Sequence, residues 1–196
     1  MGQEDLGVYH ISADPTNYEV SRTNFFTLVI TDLDGITSVE YNSEFGEATD
    51  ADKFANAQQV IKLSVTNFDV PHFSLQEHEI RRGNSVVRYA GTPSWNSCSL
   101  VATDYIGLKT KDILMAWQAK AYDVFTDKGG RMKDYKKFVT LYEYTPDYVE
   151  VRHWDIYGCW IKSISEDAFD ITSDGDRKVT CEFVYDRAEM HTPTGQ

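Results

Sequence analysis

The residues able to do chemistry are scattered along this chain rather than gathered. Asp170-x-Thr172-x-Asp174-Gly175 opens like a calcium loop, but its twelfth position is Cys181 where a bidentate Glu is required, and Glu182 comes one residue late. The segment reads as a turn between strands. His72, His78 and His153 are spaced as strand residues, with no His-Glu-x-x-His, clustered ligand spacing or nucleophile motif beside them. Glu77 and Glu79 share a strand face, and paired carboxylates are what glycosidases use, yet solvated charge is the plainer reading. Trp95, Trp154 and Trp160 offer rings on which sugars stack, whereas Trp117 falls on the apolar face of a helix. Arg131, Lys133, Lys136 and Lys137 surround Tyr135 as a small basic patch, expected to meet an acidic neighbouring subunit rather than nucleic acid. Cys98, Cys159 and Cys181 are odd in number and widely spaced, so buried thiols are expected, not a disulfide framework or a zinc site. No phosphate loop or dinucleotide fingerprint is present. The expectation is a protein that is not an enzyme, with no catalytic residue, metal or cofactor.

The elements that position these residues are mostly strands. Residues 1–21 are polar and aperiodic and read as a flexible arm. Phe25 to Ile30 is a strand closed by the turn Asp32-Leu33-Asp34-Gly35. Residues 36–59 are too polar for a core segment and read as a long loop holding Glu40, Glu44, Glu47, Asp50 and Asp52. Val60 to Val70 alternates, with Ile61, Leu63 and Val65 on one face and Lys62, Ser64 and Thr66 on the other, which predicts a half-wet strand. After Pro71 the next strand is expected to bury Phe73 and Leu75 and to expose Glu77 and Glu79. Gly83-Asn84 turns the chain into a strand from Ser85 to Ala90, Pro93 is expected to break the ladder, and a further run leads from Trp95 to Asp104. Thr110 is the expected N-cap of a helix over 111–124 whose buried face holds Ile113, Leu114, Trp117 and Ala121, continuing to Val124 and Phe125. Gly129-Gly130 ends it. Lys137 to Tyr144, Tyr148 to Ile156, Trp160 to Ile164 and Lys178 to Tyr185 complete about eight strands and one helix. That pattern predicts a mainly β subunit of packed antiparallel sheets, sandwich-like or barrel-like, with one flanking helix. Its open sheet edges are available to bind the next copy. One domain is expected over 22–188, followed by a C-terminal tail at 189–196.

Several ordered landmarks bring a family into view. Gly83-Asn84, Ala90-Gly91-Thr92-Pro93, Trp95, Asp104, Lys111-Asp112-Ile113-Leu114, Ala116-Trp117, Asp134-Tyr135-Lys136-Lys137, Gly158-Cys159-Trp160 and Tyr185-Asp186 resemble, in order and spacing, the tail tube proteins of contractile-tailed bacteriophages. The resemblance covers roughly residues 60–188. It implies six copies per ring, rings stacked into a tube that conducts DNA during ejection, and assembly in the host cytoplasm into a virion. The implied partners are the chain itself, the tail sheath protein, a baseplate or tube initiator, a tail terminator, and a tape measure protein and DNA held without specific binding. A tube of a type VI secretion or other contractile injection system and a sugar-binding β-sandwich are the alternatives.

Charge fits a conduit better than a nucleic-acid grasp. With 31 acidic against 19 basic residues in 196, the net charge is −12, and such a surface repels phosphate. In the strands resembling the family's inner barrel, the polar faces left after core packing carry Lys62, Ser64, Thr66, Glu77, Glu79, Glu143 and Glu150, which are expected to face an acidic to neutral lumen. Glu40, Glu44, Glu47, Asp50 and Asp52 are expected to lie between subunits or rings. No membrane contact is expected: the N-terminus lacks a basic region with an apolar core, and no apolar run nears the roughly 20 residues a membrane helix needs.

Overall fold

The computed structural model describes residues 21–33, 57–105, 109–172 and 174–193. The expected arm, the loop carboxylates from Glu40 to Asp52, Gly107 and Ser173 lie outside them. In chain order the elements are β1 (Phe26–Ile30), α1 (Ala57–Ser64), β2 (Val65–Phe68), β3 (Phe73–Arg82), β4 (Ser85–Trp95), β5 (Cys98–Thr103), α2 (Thr110–Ala121), β6 (Tyr122–Asp123), β7 (Lys128–Gly129), α3 (Met132–Tyr135), β8 (Lys137–Tyr144), β9 (Glu150–Glu166), β10 (Lys178–Val184) and β11 (Arg187–His191). The fold is mainly β and every strand pairing is antiparallel.

The main sheet runs β1-β8-β9-β10-β5-β2, with β11 also on β9. Strand β9 joins its two halves. Its first part pairs with β8 and β11, and its second part, from Trp160, pairs with β10. The changeover falls at Gly158, whose φ of +67° bends the strand without ending it. Tyr148 to Ile156 and Trp160 to Ile164, expected as separate strands, are therefore parts of one. Inward residues from both halves form a single core: Leu28, Ile30, Val139, Leu141 and Ile156 from one, Leu100, Ile161, Val179, Cys181 and Phe183 from the other. Trp117 of α2 packs on Phe183 with ring centroids 5.3 Å apart, and Ile113, Leu114 and Trp117 are fully buried while Ala121 is half-buried.

Four expectations need correction. Residues 60–64, expected to open a strand, and 57–59, expected in the loop, form one helix whose buried residues are Ala57, Ile61 and Ser64, four and three residues apart. Leu63, placed by alternation in the core, is 71% exposed. Helix α2 starts one residue earlier than expected and stops at Ala121. Lys109 caps it in a left-handed conformation (φ 54°), and Thr110 spends its hydroxyl on Ser64 Oγ, 2.8 Å away and buried. Val124 and Phe125 fall beyond the helix and are exposed. Strand β4 runs through Pro93, which pairs with Leu75 in the ladder. A two-stranded ribbon leaves half its amides facing solvent, so a residue without an amide hydrogen is tolerated there. Strand β11, in the expected C-terminal tail, pairs with the first part of β9.

Candidate assembly surfaces

The β3–β4 hairpin stands off the body. It forms its own two-stranded sheet, and every residue of β3 is exposed. Gly83 takes the positive φ of +63° that the Arg82-Gly83-Asn84 reversal needs. Where the register slips between Leu75 and Glu77, a Cβ on Gly91 would sit 2.8 Å from the Gln76 carbonyl, so only glycine lets the strands meet. Phe73 and Leu75, expected to be buried, are each 53% exposed. The ladder sorts the rest by face: His78↔Tyr89 and Ile80↔Val87 make an apolar side, while Glu77↔Ala90 and Glu79↔Arg88 make a charged one. Arg88 Nε reaches Glu77 at 2.7 Å and Glu79 at 3.1 Å. At the root, Trp95 packs between Phe73 and Tyr185, and the Tyr185 hydroxyl accepts from the His72 amide at 3.3 Å. The hairpin is thus firmly rooted and, among the described residues, exposed beyond the root. Isolated two-stranded ribbons are marginal in water, and this one exposes apolar side chains as well.

Besides β11, which pairs only with β9, the main sheet has edges at β1 and β2 whose outer sides are unpaired among the described residues. Both line one cleft of about 610 Å³, with Phe25, Phe26, Val65, Phe68 and Leu141 in its wall and Arg22, Lys62 and Glu143 at its margin. Among the described residues these two edges face one gap, where the sheet is open.

The expected lumen set does not share a face. Ser64 is buried against Thr110; Lys62 and Thr66 border the cleft; Glu77 and Glu79 ride on the hairpin. Glu143 is paired with Arg152 at 2.7 Å beside the cleft. A register shift between Glu143 and Tyr144 then places Glu150 on the other side of the sheet, where its carboxylate meets His153 Nδ1 at 2.6 Å. That face carries groups that spacing along the chain did not join. His153 and His191 stack at 5.2 Å, Tyr142 lies 5.5 Å from His153, and Asp155 Oδ2 lies 3.9 Å from His153 Nε2 and 3.7 Å from His191 Nε2. His191 was missed because it belongs to β11, read as tail.

The landmark motifs converge on a structural joint. Lys136 Nζ donates to both oxygens of Asp186 at 2.8 Å, and a side chain at Gly158 would collide with that same carboxylate. Tyr135 packs edge-on against Trp160, and Trp117 Nε1 donates to the Tyr135 carbonyl at 2.7 Å. Lys137 pairs with Asp32 at 3.1 Å. Two lysines of the basic patch are therefore committed inside the subunit, leaving Arg131 and Lys133 at the surface. The calcium-like segment closes on itself, since Asp170 Oδ1 accepts from the amide and hydroxyl of Thr172 at 2.9 and 2.7 Å, which holds its carboxyl below the usual range. The rings that invite sugar are engaged by protein: Trp95 as described, Trp160 by Tyr135, and Trp154 against the core. Burial raises the thiols, Cys98 to about 11, Cys181 to about 12 and Cys159 further still.

The described residues form an all-antiparallel β body with a projecting two-stranded hairpin. The comparisons agree with it. A chain of the sheath–tube complex of an extracellular contractile injection system, PVC, in its extended state superimposes with a TM-score of 0.62 at 13% identity, covering 93% of this chain and 97% of that one. The tube-terminating cap of the anti-feeding prophage gives 0.61 at 13% identity over 89% of this chain and 93% of that one. The PVC sheath/tube terminator gives 0.60 at 16% identity over 89% and 98%. No sequence-family model and no curated protein matches the chain. The chain therefore shares its fold with components of contractile injection tubes.

Proposed function

We propose that this protein is the self-assembling subunit of a tube, in hexameric rings that stack into a hollow conduit inside a contractile sheath. The observation that carries this is the β3–β4 hairpin, rooted by an aromatic cluster yet exposed along all of β3 and most of β4, on a fold shared with tube components. Open edges at β1 and β2 give it further surfaces on which copies can join. The finer reading is a phage tail tube through which DNA leaves, with sheath, baseplate or initiator, terminator and tape measure proteins as partners. The landmark motifs and the net charge of −12 support it, since a wall that repels phosphate gives DNA no place to stall. A headless contractile injection system is the second reading, favoured by neighbours from PVC and the anti-feeding prophage.

Negative-stain imaging of the purified chain tests the first step. Rings or tubes are expected, and a chain that stays monomeric at high concentration while binding glycans overturns the proposal. Particles from producing cells separate the two readings. DNA-filled heads on tubes built from this chain support the phage assignment, and headless sheathed tubes oppose it.

A further inference from the structure

The turn between β6 and β7 lifts two apolar side chains clear of the body. Val124 is 78% exposed and Phe125 99%. The mount is stiff. Strands β6 and β7 pair through Tyr122↔Gly129 and Asp123↔Lys128. The Asp123 carboxylate accepts from the Phe125 amide at 3.0 Å and the Thr126 hydroxyl at 2.6 Å, and the Tyr122 hydroxyl donates to Asp127. The Gly130 amide donates to the Ala121 carbonyl at 2.9 Å, which fastens the turn to the end of α2. A phenyl ring held rigidly in water has no role in packing the isolated subunit. Ordered in advance, it loses little freedom on docking.

The same chain carries a receptacle of matching chemistry. The cleft between β1 and β2 holds about 610 Å³ and presents Phe25, Phe26, Val65, Phe68 and Leu141. That is room for a phenyl ring and its neighbour, within the size range of specific pockets. Charge matches as well. Glu143 at the cleft is held by Arg152, so among the described residues the margin is left positive by Arg22 and Lys62. Asp123 and Asp127 flank Phe125 on the turn.

We propose that the Val124–Phe125 turn of one copy seats in the β1/β2 cleft of a second copy, with Asp123 and Asp127 facing Arg22 and Lys62. Knob and cleft are different surfaces, so the contact is heterologous: each copy gives a knob to one neighbour and takes one from the other, which closes into a ring when the rotation permits. The inference rests on the self-assembly reading above and names the surface that closes the ring.

The test is a cysteine pair in the full-length chain, Phe125→Cys with Thr66→Cys. Thr66 borders the cleft and is exposed, and the three native thiols are buried. Mild oxidation of assembled material is expected to give a ladder of crosslinked copies on non-reducing gels, absent from either single variant. Assemblies that form and oxidise without a ladder overturn the docking. In parallel, Phe125→Asp is expected to leave circular dichroism unchanged and to reduce assembled protein about tenfold or more at equal concentration. Normal assembly of Phe125→Asp overturns the docking and leaves the tube reading standing. Failure of the unaltered chain to assemble under any condition removes the tube reading itself.

Discussion

At the residue scale, the landmark positions around Lys136, Gly158 and Asp186 hold the subunit together. Gly158 is the clearest case. It has φ +67° and lies against the Asp186 carboxylate that Lys136 clamps. Gly158→Ala is expected to cost about 1 to 3 kcal/mol in urea unfolding of the unassembled subunit, through backbone strain and displacement of Asp186. Unfolding at the parent midpoint would contradict it. The buried thiols give a second prediction. Their pKa values lie above the free value of 9.0, so the folded state holds these protons more tightly than the unfolded chain does. The stabilisation is complete below pH 9 and is lost as pH climbs toward about 11 to 12. Thermal melts from pH 7 to 11 should fall through that window, and Cys181→Ala should flatten part of the fall. Thiol reagents at pH 8 should label none of the three before unfolding.

At the element scale, α2 is the flank on which the two halves of the sheet are stabilised. Trp117→Ala removes a fully buried indole stacked near Phe183 and is expected to cost about 3 to 5 kcal/mol, read from the denaturant midpoint of the free subunit. The hairpin makes the opposite prediction. Replacing residues 74–94 with a short Gly-Ser bridge should leave the melting temperature within a few degrees and abolish tubes, because among the described residues the hairpin beyond its root is exposed. How these elements read in sequence follows the same division. Helix α2 was legible because Ile113, Leu114 and Trp117 are large and recur at helical spacing. Helix α1 was not: its buried face is Ala57, Ile61 and Ser64, a small, a large and a polar residue, while Ile61, Leu63 and Val65 imitate strand alternation. The hairpin was legible as strands, turn and glycine, but alternation says only that one face is apolar. Whether that face meets its own core or another chain is decided by tertiary structure. The cleft and the histidine stack required pairings between strands far apart in the chain, and a one-residue register shift moved Glu143 and Glu150 to opposite sides.

At the scale of the whole molecule, charge opposes what the surfaces favour. Copies of net charge −12 repel, and the proposed contacts through hairpin, edges and cleft must overcome that repulsion. Assembly measured by sedimentation is therefore expected to rise between about 0.05 and 0.5 M salt as the Debye length shrinks from over 10 Å to about 4 Å. A fall over that range would mean that ion pairs, not apolar contacts, dominate the interfaces. Strand β9 carries a mechanical consequence. Its 17 residues, bent at Gly158, have a contour length of at most about 55 Å at about 3.3 Å per residue, and they belong to both halves of the sheet. A pull along it loads the ladders to β8, β10 and β11 in shear, where many hydrogen bonds must yield together, rather than in peeling, where they yield one by one. A subunit threaded on such a shared strand is expected to resist tension along it and, when it fails, to give way all at once.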